Sequence, residues 1–323
     1  MKALNKKAQY NFVLIFASIA GAMILLLAIY GAVKAGGTFQ RQNEAEIAKS
    51  IDIVMNELQA GFAGAATSSV SFKKETRIEN ECNLNSRFGE NVISVQTKSS
   101  IGEEWSISPQ EYSIRNKYIF SETQDGKKFY IYSKPFETGY EVSDIIFITT
   151  GDYCFIYPPE KIAQEIEGLN VPNIGVQSES GNNTCKEEAK KVCFGISGCE
   201  IKVTGECNQQ RCESEYDFGF ITDENGARKY YSGNLLLGAI IAEKEDYDCN
   251  VNRLLYRSSR ISDILSRKID LMNMRGCNNI LKMDLDRFAI TLQNASAEDL
   301  GDIYYLANDL DKANSKGGEC GLW

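Results

Sequence analysis

"KKAQYNFVLIFASIAGAMILLLAIYGAVKA", Lys6 to Ala35, decides how the rest of the chain must be read. Residues 8–33 are 26 consecutive positions without a formal charge. As a helix rising 1.5 Å per residue they reach roughly 39 Å, enough to cross a hydrocarbon core of about 30 Å. A cleavable secretory signal has an apolar core of only about 7–15 residues, closed by a small-x-small site at its polar end. The tidy triplet of that kind here, Ala20-Gly21-Ala22, would leave the apolar "MILLLAIYGAV" at a new terminus. The stretch therefore predicts a retained transmembrane helix over residues 9–35, behind a cytosolic leader of residues 1–8.

Charge alone does not orient this helix. Lys2, Lys6 and Lys7 before it are matched by Lys34, Arg41 and Lys49 after it, so the positive-inside count is nearly balanced. Cysteine is more informative. Cys82, Cys154, Cys185, Cys193, Cys199, Cys207, Cys212, Cys249, Cys277 and Cys320 all follow the apolar run, in the even number that disulfide pairing in an oxidising compartment favours. The expected topology is a single-pass cell-membrane protein with its N-terminus cytosolic and its ectodomain extracellular. Asn182 and Asn294 stand in N-x-S/T sequons, candidate glycosylation sites on that side.

The junction Lys6-Lys7-Ala8-Gln9 adds a second reading. Basic residues, a small residue and Gln directly before the apolar helix resemble the class III signal peptides of archaeal type IV pilin-like proteins. The resemblance covers residues 1 to about 35. It implies cleavage at Ala8–Gln9, with Lys7, Ala8 and Gln9 as the processing residues and the apolar helix kept in the mature chain. The sequence departs from the pilin pattern at the fifth mature position, which is Val13 rather than the Glu associated with subunit assembly. An uncleaved single-span anchor is the competing reading.

Beyond a flexible step at Gly36-Gly37, Ile47, Ile51, Val54 and Leu58 recur at helical spacing and predict a membrane-proximal amphipathic helix over residues 36–64. Its apolar stripe needs a partner: the ectodomain, a second copy in a short coiled coil, or a pilin-like bundle. Small residues from Ala60 to Ser69 read as a hinge. Residues 65–247 then alternate turn residues with β-branched and aromatic runs. "NVISVQT", "EWSIS", "KYIFSETQDGKKFYIYS", "DIIFITTGDYCFIY", "FGFIT" and "NLLLGAIIA" read as strands. Asp125-Gly126 is the clearest hairpin signal and Asn225-Gly226 a second turn. "PPEKIAQEIEGL" reads as a helix opened by Pro and closed near Gly168. Residues 248–323 turn helical, with Ser296 and Asp299 placed to cap the last helix. The fold class expected is α+β: a transmembrane helix continuing toward a membrane-proximal helix, then a disulfide-rich ectodomain with a mostly antiparallel or mixed sheet and C-terminal helices.

The residue repertoire narrows the chemistry. No histidine is present, which excludes Ser-His-Asp and Cys-His catalysis and removes the commonest metal ligand. No P-loop, dinucleotide fingerprint, G-x-S-x-G or H-E-x-x-H sequence occurs. The cysteines lack C-x-x-C spacing, so structural disulfides are expected rather than zinc or redox motifs. Spacing does not fix their connectivity, although a clip within residues 185–212 and a tie from Cys320 to the tail are both natural. Acidic stretches at Asp223 and from Glu243 do not fit a calcium loop, and no metal or cofactor is expected. The first 41 residues hold five of the 35 basic side chains and none of the 44 acidic ones, leaving residues 42–323 with a formal balance of −14. That balance opposes a nucleic-acid partner.

Together "ITTGDYCFIYPPEKIAQEIEGLNVPNIGV", "LLLGAIIAEKEDYDCNVNRLLYR" and the closing "CGLW", behind the N-terminal span, resemble a group of archaeal single-span surface proteins with no assigned activity. That resemblance implies compartment and architecture only. The expected function is a membrane-anchored surface protein in adhesion, envelope organisation or pilin-like assembly, without catalytic residues. Its partners would be the lipid bilayer, other copies through the N-terminal helix, and an extracellular protein or glycan. The alternative is an anchored extracellular hydrolase using Asp/Glu acid-base chemistry, which would need two carboxylates within about 10 Å in one concave pocket.

Overall fold

Helical propensity and the apolar run together make the first element longer than expected. A computed structural model of the chain describes residues 6–60, 66–98, 104–106, 110–179, 181, 183–208, 210–316 and 320–323. Helix α1 spans Lys6–Ala60, 55 residues without a break. The flexible step at Gly36-Gly37 is therefore corrected: both glycines lie within the helix. Each costs a helix interior about 1 kcal/mol, which the turns on either side can carry. Of the hinge expected from Ala60 to Ser69, residues 61–65 lie outside the described residues, while Ala60 ends α1 and residues 66–69 open the first strand, paired with residues 130–133, so the hinge does not extend into them.

The expected sheet is two sheets. The first contains β1 (Ala66–Asn83), β2 (Glu90–Thr97), β3 (Gln110–Ile114), β4 (Tyr118–Phe120), β5 (Gln124–Glu137) and β6 (Glu141–Thr149), in the order β3-β2-β1-β5-β6-β4. It is antiparallel except that β4 lies parallel to β6. The second contains β7 (Tyr153–Ile156), β8 (Ile174–Gln177), β9 (Lys190–Phe194), β10 (Ile201–Gly205), β11 (Phe218–Thr222) and β12 (Arg228–Ser232), in the order β12-β11-β10-β9-β7-β8. Its β8, β7, β9 and β10 are parallel, and β11 and β12 add an antiparallel hairpin. The run "DIIFITTGDYCFIY" divides at Thr150-Gly151-Asp152, β6 ending one sheet and β7 opening the other.

Two local expectations fail for instructive reasons. Asp125-Gly126 makes no hairpin; it lies inside β5, paired with Arg77 and Thr76 of β1, and Asp125 takes a bidentate ion pair from Arg77 at 2.7 Å. The tight turn falls instead between β5 and β6, where Gly139 adopts φ +81°. "NLLLGAIIA" supplies α3 (Leu235–Ile241), a helix rather than a strand, and all seven of its residues are buried. A short run buried all round has no periodicity to read. Gly238 lets α3 approach closely, since a Cβ there would lie 2.8 Å from the Phe120 ring.

The remaining helices are α2 (Glu160–Leu169), which ends on Asn170 in the left-handed region rather than at Gly168, α4 (Lys244–Met274), α5 (Lys282–Asn294) and α6 (Leu300–Ser315). Ser296 and Asp299 form the capping box ahead of α6. Because α4 already begins at Lys244, a boundary at residue 247 would cut a helix whose residues share one core with both sheets.

Strand alternation sorts the first sheet's side chains into two layers. On one face Ile119, Phe129, Ile131, Ile146 and Ile148 meet α1. On the other, Tyr118, Phe120, Tyr132, Ile145 and Phe147 pack with the second sheet and the C-terminal helices. Helix α4 is fastened to the first sheet by the Cys82–Cys249 pair and by Arg253. The Arg253 guanidinium donates to the carbonyls of Phe88 and Lys117 and to the side-chain oxygens of Asn91 and Asn250. Gly89 is required beneath it, with φ +54° and a would-be Cβ 2.8 Å from Arg253 Cδ.

Candidate functional site

Helix α1 changes character along its length. From Ile47 the stripe anticipated from sequence is buried: Ile47, Ala48, Ile51, Met55 and Leu58 pack on Ile78, Ile93, Val95 and Ile114 of the first sheet, with Val54 half-buried beside them. Of the three partners open to this stripe, the chain's own domain is the one it meets. Polar contacts fix the register at both ends of the docked half. Gln40 Nε2 donates to the Thr97 carbonyl at 2.7 Å, and Glu44 Oε1 accepts from the Thr97 amide and hydroxyl at 3.0 Å each. Two to three turns further on, about 12–18 Å along a helix of this rise, Lys117 reaches Asp52 at 3.3 Å and Asn56 at 2.6 Å.

Before Gln40 the helix stands away from the domain. Phe12 is 70% exposed, Leu27 69% and Phe39 71%, and the apolar residues between them are comparably bare. Among the described residues this is the one helix long and apolar enough to cross a membrane. Lys7, Ala8 and Gln9 belong to its first turns, and their side chains lie outside the description.

Sequence reading missed the polar half of the socket. Glu44 is fully buried, and its Oε2 has no hydrogen-bond partner among the described residues. Burial of the neighbouring Tyr112 hydroxyl raises its pKa, and the field of Glu44 adds to the rise. A signal was available: Glu44 stands three residues before Ile47, a carboxylate on the apolar face of an amphipathic helix. Lys117, buried beside α1, carried no such local signal.

The ten cysteines lie in five disulfide-distance pairs: Cys82–Cys249, Cys154–Cys185, Cys193–Cys199, Cys207–Cys212 and Cys277–Cys320. Such pairing matches an oxidising environment outside the cytosol. Two clips fall within the 185–212 cluster, and Cys320 ties the tail to Cys277, where Asn314 and Lys268 also hold Leu322. Asn294 is exposed at the end of α5, its Nδ2 donating back to the Ile290 carbonyl at 2.9 Å, while Asn182 lies outside the described residues.

Of the acidic stretches considered for calcium, Asp223 accepts from the amides of Asn225 and Ala227 inside the β11–β12 turn, and Glu243 stands at the N-cap of α4 without a side-chain cap hydrogen bond. Cys207, Cys212 and Asp217 converge, yet the two sulfurs face each other as a pair, and Asp217 accepts from the amides of Glu213 and Ser214 and from the Tyr304 hydroxyl. A cleft of about 160 Å³ between α2 and α3 is lined by two carboxylates, Glu165 and Asp217. Lys134 holds Glu165 at 2.7 Å and Lys161 lies 3.8 Å from Asp217, so both acids serve as counter-ions at the cleft wall.

Comparison of the chain with protein families, with curated proteins and with solved structures returns no match.

Proposed function

We propose that the chain is a membrane-anchored surface protein, inserted with its N-terminus cytosolic, whose ectodomain serves adhesion, envelope organisation or pilin-like assembly without catalysis. One observation carries this reading. A single helix joins a bare apolar arm, uncharged over residues 8–33, to a half that is sunk into the ectodomain. Water cannot solvate such an arm favourably. Its Leu, Ile, Phe and Val residues each gain about 0.3–0.6 kcal/mol at the centre of a bilayer. The paired cysteines support the extracellular side for the domain.

Protease added to intact cells that produce the full chain, followed by alkaline extraction of their membranes, tests the reading. The ectodomain should be cut from outside and the arm should stay in the pellet. A protein that is wholly protected, or released by alkali, overturns it. Within this reading the assembly variant has its own tests. Purified chain should form helical filaments in electron micrographs, and the native N-terminal peptide should begin at Gln9. Dispersed particles with an intact leader leave the permanent anchor. The hydrolase alternative would place acid-base work on Glu165 and Asp217, and their lysine and amide partners weigh against it.

A further inference from the structure

The body of the protein is strongly acidic, yet basic side chains gather where the apolar arm leaves it. Helix α1 runs along β2 from Thr97, held by Gln40 and Glu44, toward Lys117, held by Asp52 and Asn56. Its N-terminal half therefore departs past the end of β2 that is marked by Thr97. The strand register brings distant residues to that point. Thr97 pairs with Thr76, Thr76 pairs with Gly126, and Ser71 pairs with Lys128. Between Ser71 and Thr76 the register slips, so Lys73 and Lys74 sit in a bulge beside Lys127 and Lys128, with Lys98 next along from Thr97. Lys73, Lys127 and Lys128 are exposed and Lys74 half-exposed. Lys34 on the arm and Arg41 beside Gln40 at its root are exposed. Three nearby acids are engaged within the domain, Glu75 by Lys98 at 2.8 Å, Asp125 by Arg77 at 2.7 Å and Glu44 inside the socket, while Glu46 on α1 and Glu104, beside the Trp105 that bridges to Lys98, are exposed.

We infer that these lysines form a collar that seats the ectodomain on anionic lipid headgroups around the root of the arm. The inference rests on the membrane-anchored reading above and adds a lipid class to it. Arg41 and Lys34 are seven residues apart, roughly 10 Å along the helix, so the collar lies about one Debye length from the end of the uncharged span. At that range clustered lysines are attracted to a negative membrane surface. The register slip in β1 has a use in this arrangement: it places two consecutive lysines, Lys73 exposed and Lys74 half-exposed, at the level where the membrane surface would meet the domain.

The test uses the full chain in nanodiscs of phosphatidylcholine alone and of phosphatidylcholine with phosphatidylglycerol. Lysines are labelled with a water-soluble amine-reactive ester and read by mass spectrometry. Lys73, Lys74, Lys127 and Lys128 should label severalfold more slowly in the anionic discs, while the exposed Lys191 and Lys202 of the second sheet label alike in both. Raising the salt to about 0.5 M should erase the difference by shortening the screening length. The double change Lys127→Glu, Lys128→Glu should likewise restore labelling at Lys73 and Lys74. Equal labelling of the collar in both disc types overturns the inference and leaves the anchor standing. Protection that is as strong in phosphatidylcholine, or indifferent to salt, assigns the surface to a protein contact and also overturns it. A chain that does not enter discs at all overturns the anchor, and the collar falls with it.

Discussion

Arg253 is fully buried and held by neutral acceptors, the carbonyls of Phe88 and Lys117 and the amide oxygens of Asn91 and Asn250, with its Cζ 4.8 Å from the centroid of the Tyr118 ring. Burial lowers its pKa, opposed by the Tyr118 and Glu90 fields. Arg253→Met fills much of the volume but strands several acceptors. Unmade buried hydrogen bonds cost about 1–3 kcal/mol each, so the loss should be at least about 3 kcal/mol, read as a fall in the urea midpoint. Asp246, one helical turn before Asn250, behaves differently. Burial, opposed by the Cys82 amide and reinforced by Glu243, Glu81 and Glu245, lifts its pKa from 3.8 to about 6. A carboxyl whose folded pKa exceeds its unfolded one favours the folded state below the lower value, and that contribution is lost as pH rises through the upper one. Stability should therefore decline between about pH 4 and pH 6 because of this group. Asp246→Asn keeps an oxygen for the Cys82 amide and should flatten that part of the stability profile, with the gap between variant and parent constant above about pH 7. An unchanged profile would move the titration elsewhere.

At the scale of elements, α1 is two structures in one helix, and substitutions should divide accordingly. Ile51 is fully buried against the first sheet, so Ile51→Ala should cost about 2–5 kcal/mol in detergent-solubilised protein through lost transfer energy and the cavity left behind. Leu26, 67% exposed in the arm, touches no core, and Leu26→Ala should leave the same unfolding curve unmoved within about 0.5 kcal/mol. Equal losses at both positions would mean that the arm packs on the domain. The docked stripe was legible because four apolar residues at intervals of four, three and four can lie on only one face of a helix. The α+β class, the β11–β12 turn at Asn225-Gly226 and the Ser296 cap were legible for the same kind of reason, local chemistry that needs no distant partner. Asp125-Gly126 was misread because its turn propensity yielded to a long-range partner, β1, and to the Arg77 ion pair. Helix α3 was misread because a segment buried all round hides its period. The socket needed Thr97 and Lys117, residues 53 and 61 positions from Glu44 and Asn56, and only Glu44 betrayed itself in the stripe.

At the scale of the molecule, two sheets and four C-terminal helices share one core, while the disulfide-distance pairs divide into long ties and short clips. Cys82–Cys249 spans 167 residues and joins the first sheet to α4, beside the Arg253 network; Cys193–Cys199 spans six. A cross-link removes loop-closure entropy from the unfolded chain that grows with the logarithm of the loop, giving about 5 kcal/mol for the long tie and about 2 kcal/mol for the short clip. Replacing both cysteines of a pair by Ala isolates each contribution while the other four pairs remain. The Cys82→Ala, Cys249→Ala protein should lose roughly twice as much stability as the Cys193→Ala, Cys199→Ala protein when unfolded in guanidinium under non-reducing conditions. The long tie also lies next to Asp246 and Arg253, so its loss should loosen α4 against the first sheet and raise amide exchange in β4 and the first turns of α4 together. If the short clip proves the costlier one, loop entropy is not what these pairs supply, and local ordering of the exposed Gly195–Gly198 loop becomes the cause to pursue.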